Sequence, residues 1–507
     1  DDHGNINCQA AAKPALLVGR RFRDKQRAYT TAGMNSIAPW LVLAGYGVVV
    51  WVMMPKRVDA TQFFEGGARD GVAPGFWLLV ASAAITWVFA KSISNAANLS
   101  HAFGLWGGIG YAFYYLSFVV VGLAVFVMRT RGGHVSLAAF LISKYGGLCA
   151  KLFLLAIAIR LFNEVWSNTK VSALYFGAEG SGAYWTAAAA VTAFTLYYSW
   201  RGGLRSSLLT DGAQMLLAAV LLVAVLMVVG PALSAQGLPQ IEAPTRAAGL
   251  TFAALALVQV LSYGFHDPVL TDRAFITRPR IMLKAFVTAG IVAGGFILLF
   301  SVVGLYARRL SLPGDPSVSV AAAFGLPMLL VFNAIMLTSA GSTLDSTFAS
   351  AAKLGARDWA NDYAPPTPRH SVRGRWLMAT IAVLGNLPLF SIYLGDKAGP
   401  AIIAATTISG TMVMGLAPIF LLAWIKGVGR LSFHLAFWPG LVLGVILTLE
   451  AAGGLDIVPA AFDVGAGKYA DDLGVNLFGL AICTAGFLIG ALVTALAPPR
   501  PAPEAEA

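Results

Sequence analysis

Charged residues are scarce in this chain. Only 12% of its 507 residues are Asp, Glu, Lys or Arg, where soluble domains carry roughly a quarter. That is too little charge to cover a water-facing surface of this size, which excludes an ordinary soluble enzyme or binding domain. Cysteine is scarcer still: Cys8, Cys149 and Cys483 lie far apart, with no metal-ligand spacing and no disulfide framework. No metal set and no nucleophile–base arrangement points to an enzyme. A cleavable signal peptide is also missing, because the apolar piece Pro14–Val18 is far too short.

What is present is hydrophobic length. The chain is 58% hydrophobic, and apolar runs of about 18 to 28 residues recur from Trp40 to Leu496, each long enough to cross a bilayer. We count about thirteen spans, so the expected fold is an all-α polytopic membrane protein. The net charge of +11 would suit nucleic acid, but the basic residues sit in short loops between spans, where they follow the positive-inside rule instead. If the first span starts outside, 20 Lys and Arg fall in inside loops and 5 in outside loops. The expected setting is therefore the cell inner (plasma) membrane, with the N-terminus outside and the C-terminus cytoplasmic. Residues 1–33 are polar and basic, unlike the rest, and are expected to be disordered or not native.

Two spans look interrupted. The second, Trp77–Phe103, contains the polar run Lys91–His101, and the seventh ends in Ser262-Tyr-Gly-Phe-His-Asp-Pro268, where Gly264 and Pro268 disfavour a continuous helix. Paired interruptions five spans apart suggest an inverted-repeat transporter with its site at the breaks. Unwound segments expose backbone donors and acceptors at mid-membrane, so a polar solute is expected near Asn98, His101, Tyr263 and His266. Glu164 joins them from the fourth span, where Arg160, Asn163, Glu164 and Asn168 share a polar face that must look inward. Arg160 and Glu164 could equally satisfy each other as an i, i+4 pair.

The ninth span, Val318–Leu354, carries the densest polar pattern. On a helix Ser339, Ser342, Thr343, Ser346 and Ser350 share one face, with Asp345 at its edge. Hydroxyls alone often bond back to their own backbone. A carboxylate among them costs several kcal/mol at membrane depth unless compensated, and a small hard cation with oxygen ligands is the natural compensator. Asp345 could otherwise pair with Lys91 or Arg160, and Asp211 with Arg205.

Four stretches resemble the sodium/solute symporter family, which includes sodium-coupled proline, sugar, iodide and sialic-acid carriers. They are Gly202-Gly-Leu-Arg-Ser-Ser-Leu-Leu-Thr-Asp-Gly-Ala-Gln214, Ser342-Thr-Leu-Asp-Ser346, Pro268 followed by Arg273, and Phe63-Phe-Glu-Gly-Gly-Ala-Arg69. Asp267 stands where the family usually has Gln. The resemblance implies a five-plus-five inverted repeat of the LeuT type, with one span before and two after. Its boundaries would be a first span and linker at 34–75, repeats at 76–232 and 247–426, and extra spans and tail at 427–507. It also implies a coupling sodium ion held by the carbonyls of Ser94, Ala97 and Ser339 and the hydroxyls of Ser342 and Thr343. An additional sodium would lie at Asp211 with Ser342 and Ser346, strengthened by Asp345. Arg273 is expected at a cytoplasmic gate or loop contact.

The expected function is sodium-coupled symport of a small polar organic solute, with the lipid bilayer as surroundings, no nucleic acid and no obligate protein partner. Proton coupling through Asp211, Asp345 or Glu164 is the nearest alternative. A sensor would need a signalling domain beyond Leu496, and a channel would need a filter loop.

Overall fold

The computed structural model describes residues 37–68, 71–395, 412–453 and 457–497. The expectations for residues 1–33, for Arg69, for the start of the span at 400–425 and for the tail lie outside the described residues. Every regular element described is helical. In chain order these are α1 (Ala38–Met53), α2 (Ala60–Glu65), α3 (Phe76–Trp87), α4 (Ala90–Phe103), α5 (Leu105–Phe113), α6 (Ser117–Gly132) and α7 (Leu137–Tyr145). There follow α8 (Gly147–Ala173), α9 (Gly182–Gln236), α10 (Ala243–Tyr263), α11 (Pro268–Arg273), α12 (Pro279–Phe300) and α13 (Val302–Arg309). The last are α14 (Pro316–Ala323), α15 (Leu326–Lys353), α16 (Pro368–Leu384), α17 (Leu416–Leu421), α18 (Arg430–Gly453) and α19 (Ala470–Leu496).

Among the described residues 8 helices are long and apolar enough to cross a membrane, or 9 with the bent pair α3–α4 taken as one span. Leu216, Met227, Ile291 and Leu492 are exposed on these helices, as lipid-facing positions should be. The chain is a multi-pass membrane protein. Helix α9 accounts for part of the gap to thirteen. Its 55 residues would extend about 80 Å at 1.5 Å per residue, against a hydrocarbon core of about 30 Å. It therefore holds two crossings, which meet at Gly203, where the backbone leaves the helix at φ 52° and ψ −141°.

The interruption of the second span falls earlier than its polar run suggests. The chain bends by 58° between α3 and α4, at Val88 and Phe89, while Lys91–His101 is helical within α4. The polar residues are tolerated there because Ser94 and Ser100 are buried in protein, while Lys91, Asn95 and Asn98 line a cavity. Backbone groups freed at the bend find partners: Tyr115 OH donates to Trp87 O (2.7 Å), Thr343 Oγ1 to Thr86 O (3.5 Å), and Lys91 N to Asn168 Oδ1 (3.2 Å). The seventh-span break lies where Gly264 and Pro268 place it. A 3-10 turn at Gly264–His266 leads to extended Asp267, whose Oδ1 accepts from Val269 N (3.1 Å) to cap α11. The expected ninth span, Val318–Leu354, is divided: Gly325, at φ 85°, separates α14 from α15.

Helix α15 is the central post, packed most extensively on α9 and also on α1, α8 and α16. Its polar face is wholly buried, with Ser339, Ser342, Thr343, Asp345 and Ser346 all inaccessible.

Gly203 gives a direct test of the α9 turn. A Cβ there would lie 2.4 Å from Phe63 O, at a φ that L side chains rarely adopt. Gly203→Ala should lower folding stability by about 1–3 kcal/mol, whereas Gly45→Ala, with open space around the new methyl, should stabilise by about 0.5 kcal/mol. Detergent-solubilised unfolding curves read both, and a neutral Gly203→Ala would contradict the turn.

Candidate functional site

Three elements bring their polar residues to one buried cluster: α3, the second half of α9, and α15. Asp211 on α9 accepts from Ser82 Oγ (2.5 Å), Ser207 Oγ (3.2 Å) and Ser342 Oγ (2.5 Å). Thr86 Oγ1 adds a longer contact at 3.5 Å. Arg273, at the end of α11, completes the set, its guanidinium 3.0 Å from Asp211 Oδ2. The same guanidinium donates to Ser82 Oγ (2.7 Å), Ser207 Oγ (3.0 Å), Ser346 Oγ (2.6 Å) and Val269 O (2.7 Å). Arg273 is thus not a cytoplasmic loop contact but one of the largest fully buried side chains. Nor does Arg205 neutralise Asp211; it donates to Gly66 O at 3.2 Å.

Asp345 lies in the same cluster without an ion-pair partner among the described residues. It accepts from Tyr198 OH (2.9 Å), Thr210 Oγ1 (3.1 Å) and Ser346 Oγ (3.1 Å). The expected alternatives, Lys91 and Arg160, are engaged elsewhere. Tyr198 also donates to Gly341 O (3.0 Å), and Gln214 Nε2 donates to Tyr46 OH (2.7 Å). A Cβ at Gly341 would lie 1.8 Å from Tyr46 OH, so glycine is what lets two tyrosines close over this end. With both carboxylates ionised, the single guanidinium leaves the cluster one positive charge short. A buried charge without compensation is costly.

Beside it, Thr343 Oγ1 reaches both Ser339 O (2.9 Å) and Thr86 O (3.5 Å). Ser339 Oγ is buried and has no hydrogen-bond partner among the described residues. These are hard oxygen donors, the kind a sodium ion takes. Ser94 and Ala97 do not join them. Both belong to the regular helix α4; Ser94 Oγ donates to Asp315 Oδ2 (3.0 Å), and Ala97 O accepts from Ser100 Oγ (3.1 Å) beside Gly304. The carbonyls that the bend frees belong to Thr86 and Trp87, one turn or more earlier.

A cavity of about 700 Å³ lies between α4, α5, α8 and α10. Asn98 and Tyr263 line it, together with Lys91, Asn95, Arg160 and Gln259. His101 does not; it lines a separate opening with Arg308 and Gln236. His266 and Glu164 are buried behind the wall. His266 Nδ1 lies 2.5 Å from Tyr263 O. Glu164 binds Lys91 Nζ (2.7 Å) and pairs with Arg160, which also reaches Asp267 at 3.2 Å. The two cations and two anions form a neutral tetrad. Phe265 is core, stacked on Phe420 at 4.6 Å. A second cavity, about 590 Å³, lies at another face, lined by α2 and by Asp272, Lys353 and Arg357.

Ser82, Thr86, Ser207, Thr210 and Tyr198 escaped the sequence reading. The signal was present as i, i+4 polar steps, Ser82 to Thr86 and Ser207 to Asp211, inside apolar runs.

No family model matches this sequence, and no curated protein does. Solved structures do. A sodium-coupled sialic acid symporter, in a substrate-bound outward-open state, aligns with TM-score 0.66 at 15% identity, covering 91% of this chain and 97% of that one. A manganese transporter of Eremococcus coleocola aligns with TM-score 0.52 at 12% identity, covering 83% and 94%. The chain has a transporter fold.

The Asp211–Arg273 pair is testable by unfolding. Arg273→Gln should cost about 3–5 kcal/mol, because it leaves two buried carboxylates without a cation, and Asp211→Asn should cost less, since Asp345 remains in the cluster with the guanidinium. The double variant should cost clearly less than their sum. Arg205→Ala should stay within about 1 kcal/mol of the parent. Equal losses for Arg205→Ala and Asp211→Asn would restore the surface pairing.

Proposed function

We propose that this chain is a secondary active transporter that carries a small polar organic solute together with sodium by alternating access. The observation that carries this reading is the buried, oxygen-lined cluster of Asp211, Asp345 and Arg273, one positive charge short, in a transporter fold. Sodium would sit between α3 and α15, on Thr86 O, Ser339 O and the hydroxyls of Ser342 and Thr343. Asp211, Asp345 and Ser346 would hold the surplus negative charge nearby, as an additional cation position. The solute would occupy the cavity lined by Asn98 and Tyr263.

Two short connections link ion and solute. Helix α3 supplies Ser82 and Thr86 to the ion cluster, and past the bend α4 supplies Lys91 to the cavity. Helix α11 begins at Asp267, bonded to Arg160 of the cavity wall, and ends six residues later at Arg273 in the ion cluster. At 1.5 Å per residue that is about 9 Å. A cation that fixes Thr86 and Arg273 therefore fixes both edges of the cavity, and the coupling runs equally in reverse. Such broken helices suit the five-plus-five repeat, with 76–232 and 247–426 as its halves. The basic loops support an outside N-terminus and a cytoplasmic C-terminus in the plasma membrane. The Asn98–Tyr263 cavity would then open outward, and the Lys353 cavity would face the cytoplasm.

Proton coupling is the competing reading, since Asp345 would be neutralised equally well by a proton. The discriminating experiment measures thermal stabilisation of purified protein in sodium against choline chloride, at several pH values. Sodium-specific stabilisation is expected, and Ser342→Ala with Thr343→Ala should raise the half-maximal sodium concentration about fivefold or more, the equivalent of roughly 1 kcal/mol. A double variant with unaltered sodium dependence, or stabilisation that follows pH alone, would end the sodium assignment.

A further inference from the structure

The chemistry of the cavity wall narrows the solute further. Lys91 and Arg160 both line it. The Lys91 ammonium donates to Asn163 Oδ1 and Glu164 Oε1, each at 2.7 Å, and a third N–H remains. Arg160 bonds Asn163, Glu164 and Asp267, yet its buried Nε has no acceptor among the described residues. The acids that neutralise these cations, Glu164 and Asp267, are completely inaccessible and do not line the cavity. An entering solute therefore meets cationic donors, with the anions behind them. Towards the mouth the charges are offset: Lys170 pairs with Glu179 at 2.6 Å, and Lys468 stands with Asp472. Spare donor capacity is concentrated on the deep wall. Around it stand Trp87, Phe89, Tyr111, Tyr114 and Tyr263, faces that suit an apolar or aromatic body.

We propose that the solute is a monocarboxylate with an apolar or aromatic body, its carboxylate received by the remaining N–H of Lys91 Nζ, with the Arg160 guanidinium behind it. This rests on the transporter reading above and goes beyond it in naming the solute class. Charge accounting links the class to sodium. The Lys91–Glu164–Arg160–Asp267 tetrad is neutral, so a bound carboxylate adds one negative charge to a low-dielectric region. One sodium ion offsets the neighbouring cluster's own shortage, and a second, at the additional cation position, would offset the carboxylate. Carboxylate affinity should thus rise with sodium, and sodium affinity with carboxylate. A primary amine lacks an exposed acid on this wall, and a neutral amide forgoes the charge-assisted bonds.

The test uses purified full-length protein and thermal stabilisation, with benzoate, phenylacetate and hexanoate as probes against benzamide, phenylacetamide and benzylamine. At least one carboxylate should stabilise in sodium chloride and not in choline chloride, while the amides and the amine do not. Lys91→Gln should weaken carboxylate binding about tenfold or more, the loss of one charged hydrogen bond, and Lys91→Arg should retain part of it. The sodium-dependent stabilisation of Lys91→Gln without carboxylate reports that the variant is folded. Lys284→Gln, exposed and outside the cavity, should leave the carboxylate response unaltered. Amides that match their acids, or a Lys91→Gln response equal to the parent's, would overturn the proposal. Sodium stabilisation with no carboxylate response would overturn it while leaving the transporter reading intact. Absence of any sodium effect would remove both.

Discussion

Two carboxylates share a buried cluster with a single guanidinium, and much of the architecture is arranged around them. An ionised carboxylate away from water is tolerated only when donors and positive charge surround it. Asp211 has four hydroxyl neighbours and Arg273; Asp345 has three hydroxyls and no cation among the described residues. The elements that supply these donors, α3, α9, α11 and α15, are thereby tied to one point. The interruptions in two helices are what allow those elements to reach it.

The breaks act as more than hinges. At the α3–α4 bend, every freed backbone group named above is met by a side chain, from Tyr115, Thr343 or Asn168. Backbone that is satisfied by side chains on moving neighbours can be re-satisfied differently, which is how irregular backbone survives at membrane depth. Thr343 on the post helix and Asn168 beside the cavity hold opposite sides of the same bend.

The membrane class and the polar helix face were legible in the sequence, because long apolar runs and 3.6-residue spacing are local properties. Ser342, Thr343 and Asp345 could be placed on one face without any structure. The seventh-span break was legible too, since Gly264 and Pro268 mark it in the chain itself. The second-span bend was not. Polar residues at 91–101 suggested unwinding, but they meet buried partners or the cavity and remain helical, while the bend falls in apolar Val88–Phe89. Arg273 was misplaced for a related reason: its sequence neighbours look cytoplasmic, and only the tilt of α11 carries its guanidinium inward. Pairing between distant elements, Asp211 with Arg273 or Tyr198 with Asp345, leaves no local trace in one sequence.

The central claim is that the Asp211–Asp345–Arg273 cluster, short of one positive charge, draws a sodium ion into the protein. Equilibrium binding of radiolabelled sodium to the purified protein, by scintillation proximity, tests it most directly. The account predicts saturable binding that unlabelled sodium displaces and choline does not, and that Asp345→Asn weakens. Binding that never saturates, or that Asp345→Asn leaves unaltered, would contradict it.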